Sequence, residues 1–422
     1  MRGTAHRARF VLADSNLLLQ NAVIYVSSSG RISGIEPWNN APVNPRARVV
    51  DWGSALIMSG LINAHAHLEL TSLHEKLTRF SSFTDWISQL IRYRRLWIAE
   101  DFVVSAAKGA RLTLASGTTL VGDITSSGVG WKATMGNNLR RIVFEEVLAL
   151  APDQAGRAML QLSPLFEQAE PNPLLVHGIS PHAPYSVSAE LYARAAELSR
   201  KRRMLLATHL AETRAEVEFL EDGTGEFRDF LAAGGVLPNE WKPPKLSPVQ
   251  FLDSLGVLGP LCVLIHCNYL DRDSIRRIQK AKSSVVYCPR SHEFFGHEKH
   301  PVRQLLDAEI NVALGTDSLA SNSSLSMIDE MRFLAKKRKD LAPEEIFQMA
   351  TRNGAAAFRY ARVLGCLKRG YYADMAVLEL PGNLKPRQFL SQIMEGAGEC
   401  IATIVQGQTA WQRLSKNADE VN

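Results

Sequence analysis

Two histidines, His65 and His67, stand at the end of an apolar run of sequence and could bind a metal ion. In a β-strand, side chains two residues apart leave the same face, so these two imidazoles would lie side by side. A His-x-His pair also arises by chance, and alone it is a weak indication of a metal site. Two later apolar runs end in His209 and Asp317, and the four residues together favour metal binding.

A catalytic metal ion of the zinc type takes three or four nitrogen and oxygen ligands and keeps one position open for water. His65, His67, His209 and Asp317 would supply such a set. A carboxylate at the end of an apolar strand is costly to bury without a metal ion or a donor, which supports Asp317. His209 could instead be a core histidine, but Glu212 follows three residues later, where its carboxylate could act as general acid and base.

His266 ends a further apolar run, and its position leaves two interpretations open. Its ring could face the same site, or it could pack in the core as an ordinary buried histidine. Taken alone, His266 is therefore a weaker candidate than the other histidines.

Strand-like apolar runs alternate with amphipathic helical stretches through the middle of the chain, which favours βα units around a parallel sheet. Eight runs fit the strands of a (β/α)8 TIM barrel: 56–64, 118–124, 141–147, 174–180, 204–208, 262–265, 284–287 and 311–314. A doubly wound open sheet is the alternative, but no Gly-x-Gly-x-x-Gly fingerprint supports it. In barrels the catalytic residues lie at the carboxyl ends of the strands, where every candidate ligand falls in this assignment.

Both ends of the chain contain short β-like runs separated by Asn, Ser and Gly turns, without helical patterns between them. We predict that the two ends pair into one small β-sandwich. The predicted domains are the N-terminal part of the sandwich (1–57), the catalytic barrel (58–362) and the C-terminal part of the sandwich (363–422).

Composition restricts the partners. The net charge is +5 over 422 residues, and acidic and basic residues are interspersed, so no nucleic-acid partner is expected. No apolar stretch is long enough to span a bilayer, no secretory signal is recognised at the start, and the five scattered cysteines are interpreted as reduced thiols. We expect a cytoplasmic protein with a small-molecule substrate, no membrane partner, and a homodimer as the assembly to test.

These motifs resemble those of the amidohydrolase superfamily, in particular its cytosine-deaminase-like, mononuclear branch. The resemblance covers nearly the whole chain, including both terminal β segments. The matching motifs are Ser59-Gly60-Leu61-Ile62-Asn63-Ala64-His65-Ala66-His67, Ser180-Pro181-His182-Ala183-Pro184-Tyr185-Ser186, Thr208-His209-Leu210-Ala211-Glu212-Thr213, His266-Cys267 and Ala313-Leu314-Gly315-Thr316-Asp317-Ser318-Leu319-Ala320-Ser321-Asn322.

The resemblance implies one divalent ion, zinc or iron, held by His65, His67, His209 and Asp317. Dinuclear branches bridge two metals with a carboxylated lysine from the fourth strand, and residues 174–185 contain no lysine, so one ion is expected.

The resemblance also implies catalytic roles. Glu212 would carry a proton from the attacking water to the substrate, His266 would orient the water or polarise the substrate, and Asp317 would accept the water's second proton. The substrate-binding residues predicted on this basis are His182, Glu69, Trp86, Arg290 and Ser318.

The activity that the resemblance implies is hydrolytic deamination of an aminopurine nucleoside-like substrate. The stretch 67–70, Phe83-Thr84-Asp85-Trp86-Ile87 and the basic residues 92–95 are similar to the aminodeoxyfutalosine deaminases of the menaquinone pathway, which makes aminodeoxyfutalosine a candidate substrate. Deaminases of S-adenosylhomocysteine carry a ribose-binding glutamate where this chain has the basic residues.

A second departure is Cys288-Pro289-Arg290-Ser291-His292, where close deaminases carry His-Asn-Pro. Arg290 or His292 could contact a substrate carboxylate, or the segment could serve only to shape the loop. Trp86 likewise could line the pocket or pack beneath it.

Two other function classes stay open. The first is a hydrolase of the same fold that cleaves another C–N or a C–Cl bond in a heterocycle. The second is a non-catalytic relative, which the full ligand set and Glu212 argue against.

Overall fold

Eight parallel strands form a nearly closed barrel, and strands from both ends of the chain form a separate sheet. This computed structural model describes residues 3–38, 47–134, 136–168, 172–381 and 388–414. In chain order the strands are β1 (Thr4–Asp14), β2 (Leu17–Val26), β3 (Ile32–Pro37), β4 (Arg48–Asp51), β5 (Leu56–Ser59), β6 (Leu61–Ala66), β7 (Thr118–Thr125), β8 (Arg140–Val147), β9 (Leu175–Pro181), β10 (Leu206–Leu210), β11 (Cys262–His266), β12 (Ser284–Tyr287), β13 (Val312–Leu314), β14 (Met375–Glu379), β15 (Glu399–Val405) and β16 (Gln408–Gln412). The predicted TIM barrel is confirmed.

Helices alternate with the barrel strands, as the amphipathic stretches predict. They are α1 (Phe83–Arg95), α2 (Ala99–Ala115), α3 (Ala155–Gln168), α4 (Ala189–Arg202), α5 (Arg214–Glu221), α6 (Glu226–Ala233), α7 (Pro248–Ser254), α8 (Arg272–Ala281), α9 (Pro289–Phe294), α10 (Val302–Asp307), α11 (Met327–Lys337), α12 (Pro343–Met349), α13 (Arg352–Ala357) and α14 (Phe389–Met394). Within the described part of the chain, no helix has both the length and the apolar character that a membrane crossing requires.

The barrel strands follow the order β6 to β13, and the segment after β13 returns to β6. The backbone N–H groups of Thr316 and Asp317 both donate to the carbonyl of His65, at 3.0 Å each. Gly315 permits this approach, because a Cβ atom there would lie 2.9 Å from the backbone nitrogen of His65. The closure of the barrel therefore sets Asp317 beside the His-x-His pair.

The apolar run 56–64 is two strands, and its prediction as a single barrel strand was wrong. β5 pairs with β1 and β14 in the terminal sheet, whereas β6 pairs with β7 in the barrel. Both halves are fully buried, so hydrophobicity alone does not separate them. Gly60 divides them at a point where a Cβ atom would lie 2.3 Å from the hydroxyl of Thr119. The other seven predicted runs each overlap a barrel strand.

The terminal segments pair with each other as one continuous sheet. Its strand order is β16-β15-β14-β5-β1-β2-β3, with β4 also paired to β1. The predicted boundary after residue 57 falls inside β5, and residues 415–422 of the predicted C-terminal part lie outside the described residues.

A buried ion pair joins the barrel to the terminal sheet. Arg140, at the start of β8, donates from Nε and Nη2 to the two carboxylate oxygens of Asp374, at 3.1 and 3.2 Å, and both side chains are 2% exposed. Asp374 also accepts a hydrogen bond from the backbone N–H of Gln406 at 2.8 Å. Such bidentate geometry offsets part of the cost of burying two charges.

We expect Asp374→Asn to lower the free energy of unfolding by about 3–5 kcal/mol, because it leaves the Arg140 guanidinium buried without a counter-charge. Urea denaturation of the full chain would measure the loss. The control is Glu190→Gln, which breaks an exposed pair with Arg194 on α4 and should cost less than about 1 kcal/mol. Equal losses of unfolding free energy in the two variants would show that the buried pair contributes no more than an exposed one.

Candidate metal centre

Four histidine rings meet at the carboxyl ends of β6, β10 and β11. The ring centroid of His65 lies 4.8 Å from that of His67, 5.1 Å from that of His209 and 5.6 Å from that of His266. His65 lies in β6, which ends at Ala66, and His67 follows with φ of −123° and ψ of 85°. The alternation of extended backbone therefore places residues 65 and 67 on the same face. The structure thus brings together all the histidines that the sequence suggested for this site.

Asp317 completes the cluster. Its Oδ1 atom lies 3.4 Å from Nε2 of His65 and 3.8 Å from Nε2 of His67. Its Oδ2 atom accepts hydrogen bonds from the hydroxyls of Ser291 and Ser321, at 2.8 Å each. One carboxylate oxygen is therefore anchored by hydroxyls while the other faces the imidazoles.

The donor set fits a divalent transition-metal ion. His65 is 1% exposed, and among the described residues neither of its ring nitrogens makes a hydrogen bond. Nδ1 of His209 lies 3.0 Å from the carbonyl of His182, a contact that leaves Nε2 of His209 for the site. Candidate ligand atoms of His65, His67 and Asp317 all lie within 4.8 Å of one another. Imidazole nitrogens with one carboxylate are ligands that suit zinc or iron.

The backbone adopts left-handed conformations where these strands end. Ala211, His266 and Asp317 have φ of 49°, 70° and 60°, values that non-glycine residues rarely adopt. Such conformations cost about 1–3 kcal/mol each and persist where surrounding contacts hold them. At Ala211 the contact is the Glu216 carboxylate, which accepts from the N–H groups of Ala211 and Glu212 at 2.9 Å each.

Glu212 lies beside His266, with 3.4 Å between Oε1 and Nε2. The side-chain amide of Asn268 holds the Glu212 carbonyl at 2.9 Å. Burial, together with the nearby Asp317, raises the pKa of Glu212 well above its usual value. A carboxyl group with a raised pKa can take up a proton beside these candidate metal ligands.

Burial also favours the neutral form of His67, His209 and His266. It lowers the pKa of His67 to about 3, with His65 adding to the effect, and it holds the pKa of His209 and of His266 well below the usual value. Burial opposes ionisation of Asp317, but its interactions with His65 and the neighbouring rings more than offset this, and its pKa is well below the usual range. Neutral imidazoles and an ionised carboxylate are the protonation states that bind metals.

A cavity of about 80 Å³ opens beside the cluster. Of the residues predicted to bind substrate, His182, Glu69 and Trp86 line it. His182 is held by a contact of 2.6 Å between its Nδ1 and the Ser186 hydroxyl, and Trp86 donates from Nε1 to the carbonyl of Ala320 at 3.3 Å.

Glu69 lines the cavity, but its carboxylate is already saturated. It accepts from the hydroxyls of Thr125, Ser126 and Ser127 at 2.6, 3.0 and 2.6 Å. The backbone N–H groups of Ser126 and Ser127 donate to it at 3.1 and 3.3 Å. Five donors occupy its oxygens, so Glu69 fixes the end of β7 to the segment after β6.

Arg290 and Ser318 are not among the described residues that line the cavity. The Arg290 guanidinium bonds the Ser323 hydroxyl and lies 3.9 Å from Asp329. The N–H of Ser318 donates to Asp317 Oδ1 at 2.7 Å, so Ser318 helps to fix the Asp317 carboxylate in the loop after β13. The structure therefore does not bring these two residues to the cavity.

Three polar lining residues were not predicted as site residues: Arg94, Ser126 and Glu146. Of these, Arg94 belongs to the basic residues 92–95 noted in the sequence. Glu146 ends the third barrel strand, so the rule that found the other strand-end residues could have found it too. Arg94 lies on the same face of α1 as Trp86, about two helical turns further along the helix.

The chain matches the model of the amidohydrolase family over residues 56–410. Its sequence is 31% identical over 344 residues to 5-methylthioadenosine/S-adenosylhomocysteine deaminase of Pyrococcus horikoshii, covering 79% of this chain and 76% of the relative. It is 28% identical over 386 residues to aminodeoxyfutalosine deaminase of Nitratiruptor sp., covering 89% and 91%.

Two solved structures have the same fold. Helicobacter pylori aminofutalosine deaminase in complex with methylthio-coformycin aligns with a TM-score of 0.84 at 21% identity, covering 97% of this chain and 100% of the other. A zinc-bound adenosine deaminase from Xanthomonas campestris aligns with a TM-score of 0.79 at 24% identity, covering 96% and 92%.

We expect the purified chain to hold about one divalent ion, and His209→Ala or Asp317→Ala to reduce this below about 0.1 ion per chain after dialysis, because each removes a ligand. Elemental analysis by mass spectrometry measures the content. The control is His74→Ala, which removes an imidazole from just beyond the segment Leu68–Leu73. Full metal retention by both ligand variants would show that the ion binds elsewhere.

Proposed function

Because this chain belongs to the amidohydrolase family, we propose that it is a metal-dependent hydrolytic deaminase of an aminopurine nucleoside. The observation that carries the proposal is the contact of Glu212 with His266, within one cluster with Asp317. A carboxyl group beside candidate metal ligands supports the proposal, because hydrolytic loss of an amino group from a ring needs a group that transfers protons beside an activated water.

One divalent ion, zinc or iron, would be held by His65, His67, His209 and Asp317. When bound, such an ion supplies an activated water at neutral pH. Zinc is the ion in the adenosine deaminase structure that shares this fold. The absence of lysine between residues 174 and 185 supports a single ion, since the described fourth strand offers no bridging lysine.

Glu212 would take a proton from the attacking water and deliver it to the ring nitrogen beside the amino-bearing carbon. A C–O bond forms at that carbon as the water adds. The C–N bond to the amino group then breaks, and ammonia leaves with a proton returned to its nitrogen. His266, 3.4 Å from Glu212, would orient the water, and Asp317 would take its second proton.

His182 and Trp86 would hold the substrate ring. Both line the cavity, and each is fixed by its own hydrogen bond, to Ser186 and to Ala320. Burial, followed by the positive charge of Arg94, lowers the pKa of His182 to about 4, so its ring is neutral and can donate or accept at a ring nitrogen. The names of the relatives suggest 5-methylthioadenosine, S-adenosylhomocysteine and aminodeoxyfutalosine as substrates.

We expect ammonia release from a panel of these nucleosides and adenosine, and a fall in kcat of about 10²–10⁴-fold in Glu212→Gln, which cannot carry the proton. The metal content should not change, because Glu212 is not a proposed ligand. The control is Glu218→Gln on α5, whose exposed carboxylate bonds Thr224.

Full activity of Glu212→Gln would refute the proton-transfer role. Turnover of a chlorinated triazine or another heterocycle, with no turnover of nucleosides, would refute the nucleoside assignment and favour the alternative C–N or C–Cl hydrolase.

A further inference from the structure

The cavity has a second wall, which lies apart from the cluster of candidate metal ligands. Trp86, Leu90 and Arg94 line it from α1, spaced four residues apart on one helical face. Ser126 and Glu146 line it from the ends of β7 and β8. The proposed reaction uses neither Arg94 nor Ser126 nor Glu146, so this wall is available to recognise the part of the substrate that does not react.

The alternation of β8 points Glu146 into the barrel. Phe144, two residues earlier, packs in the barrel core, whereas Glu145 lies 3.5 Å from His177 on the next strand. Carboxylate and ring-nitrogen atoms of Glu146, His182 and His209 all lie within 4.8 Å of one another. Glu146 therefore sits next to the histidine that would contact the substrate ring.

The carboxylate of Glu146 has fewer hydrogen-bond donors around it than the carboxylate of Glu69. The Ser126 hydroxyl lies near Glu146 and acts to lower the pKa of its carboxyl, against the larger rise caused by burial. That hydroxyl also donates to Glu69 at 3.0 Å and accepts from Arg94. Since a hydroxyl has one proton, Ser126 cannot serve both carboxylates at once. Glu146 therefore has fewer donors around its carboxylate than Glu69 and keeps acceptor sites for a ligand in the cavity.

This wall carries no excess of positive charge. Nη2 of Arg94 lies 3.8 Å from Glu69 Oε1, and Arg94 also acts on Glu146, where it opposes the rise in pKa, to about 7, that burial causes. Two carboxylates against one guanidinium give no surplus positive charge for an anionic substituent. The Glu146 carboxylate is instead suited to accept hydrogen bonds from neutral donors. In a nucleoside, the donors outside the base are the hydroxyl groups of the sugar.

We infer that Glu146 accepts hydrogen bonds from the sugar hydroxyls of the substrate, so that the enzyme selects ribonucleosides over deoxynucleosides and free bases. The inference rests on the proposed deaminase function. It assigns to the end of β8 a specificity role that the sequence did not suggest.

The test compares kcat/KM for adenosine, 2′-deoxyadenosine, 3′-deoxyadenosine and adenine in the metal-loaded full chain. The wild type should prefer adenosine, and Glu146→Gln and Glu146→Ala should reduce that preference by about 10- to 100-fold, the range for a hydrogen bond to a charged group. Most of the loss should appear in KM. The ratio is taken within one variant, so a smaller folded fraction does not change it.

Glu145→Gln is the matched control, because it makes the same chemical change one residue away, on the opposite face of β8. It should keep the wild-type preference. Metal content is measured in every variant, and a metal loss in Glu146→Gln would overturn the inference by placing Glu146 among the ligands.

The two failures are distinguishable. If the wild type deaminates adenosine but Glu146→Gln and Glu146→Ala keep its preference for the sugar hydroxyls, only this inference is overturned. If the wild type acts on none of the nucleosides, the proposed function fails, and this inference fails with it.

Discussion

The hydrogen bonds from Thr316 and Asp317 to the carbonyl of His65 are the contact on which the site depends. They close the barrel between its last and first strands, and they also bring a carboxylate against the His-x-His pair. The left-handed backbone at Asp317 and the close packing of Gly315 on His65 both serve this contact. Fold and site therefore share one set of interactions, and a change that opened the barrel here would also separate the candidate ligands.

Burial determines the chemistry that these groups can perform. Burial lowers the pKa of His67, His209 and His266, so these rings keep lone pairs for a metal, and burial raises the pKa of Glu212. Asp317 stays ionised, and Ser291 and Ser321 hold its outer oxygen in place. Ser291 belongs to the segment where close deaminases carry His-Asn-Pro. In this chain that segment supports the candidate ligand Asp317, and its arginine, Arg290, turns away toward Ser323 and Asp329.

The sequence predicted the barrel and the metal-side cluster because both follow simple periodicity. His65 and His67 share a strand face, and His209, His266 and Asp317 end buried apolar runs. The division between β5 and β6 could not be predicted, because residues on both sides of Gly60 are equally apolar and only tertiary pairing distinguishes them. The substrate-binding residues were harder to predict because their roles also depend on tertiary contacts. Whether Glu69 or Arg290 faces a ligand depends on which hydroxyls and charges the fold places beside them.

Three glutamates line the same cavity, and the hydrogen-bond donors around each carboxylate determine what that carboxylate can do. Glu69 receives five hydrogen bonds and is a fixed part of the wall. Glu212 contacts a single imidazole, with its backbone held by Glu216 and Asn268, which leaves its carboxyl to exchange a proton. Glu146 shares one hydroxyl with Glu69 and keeps open acceptor sites. All three have the same side chain and lie near the carboxyl end of a barrel strand, so the difference arises from the neighbours that the barrel provides.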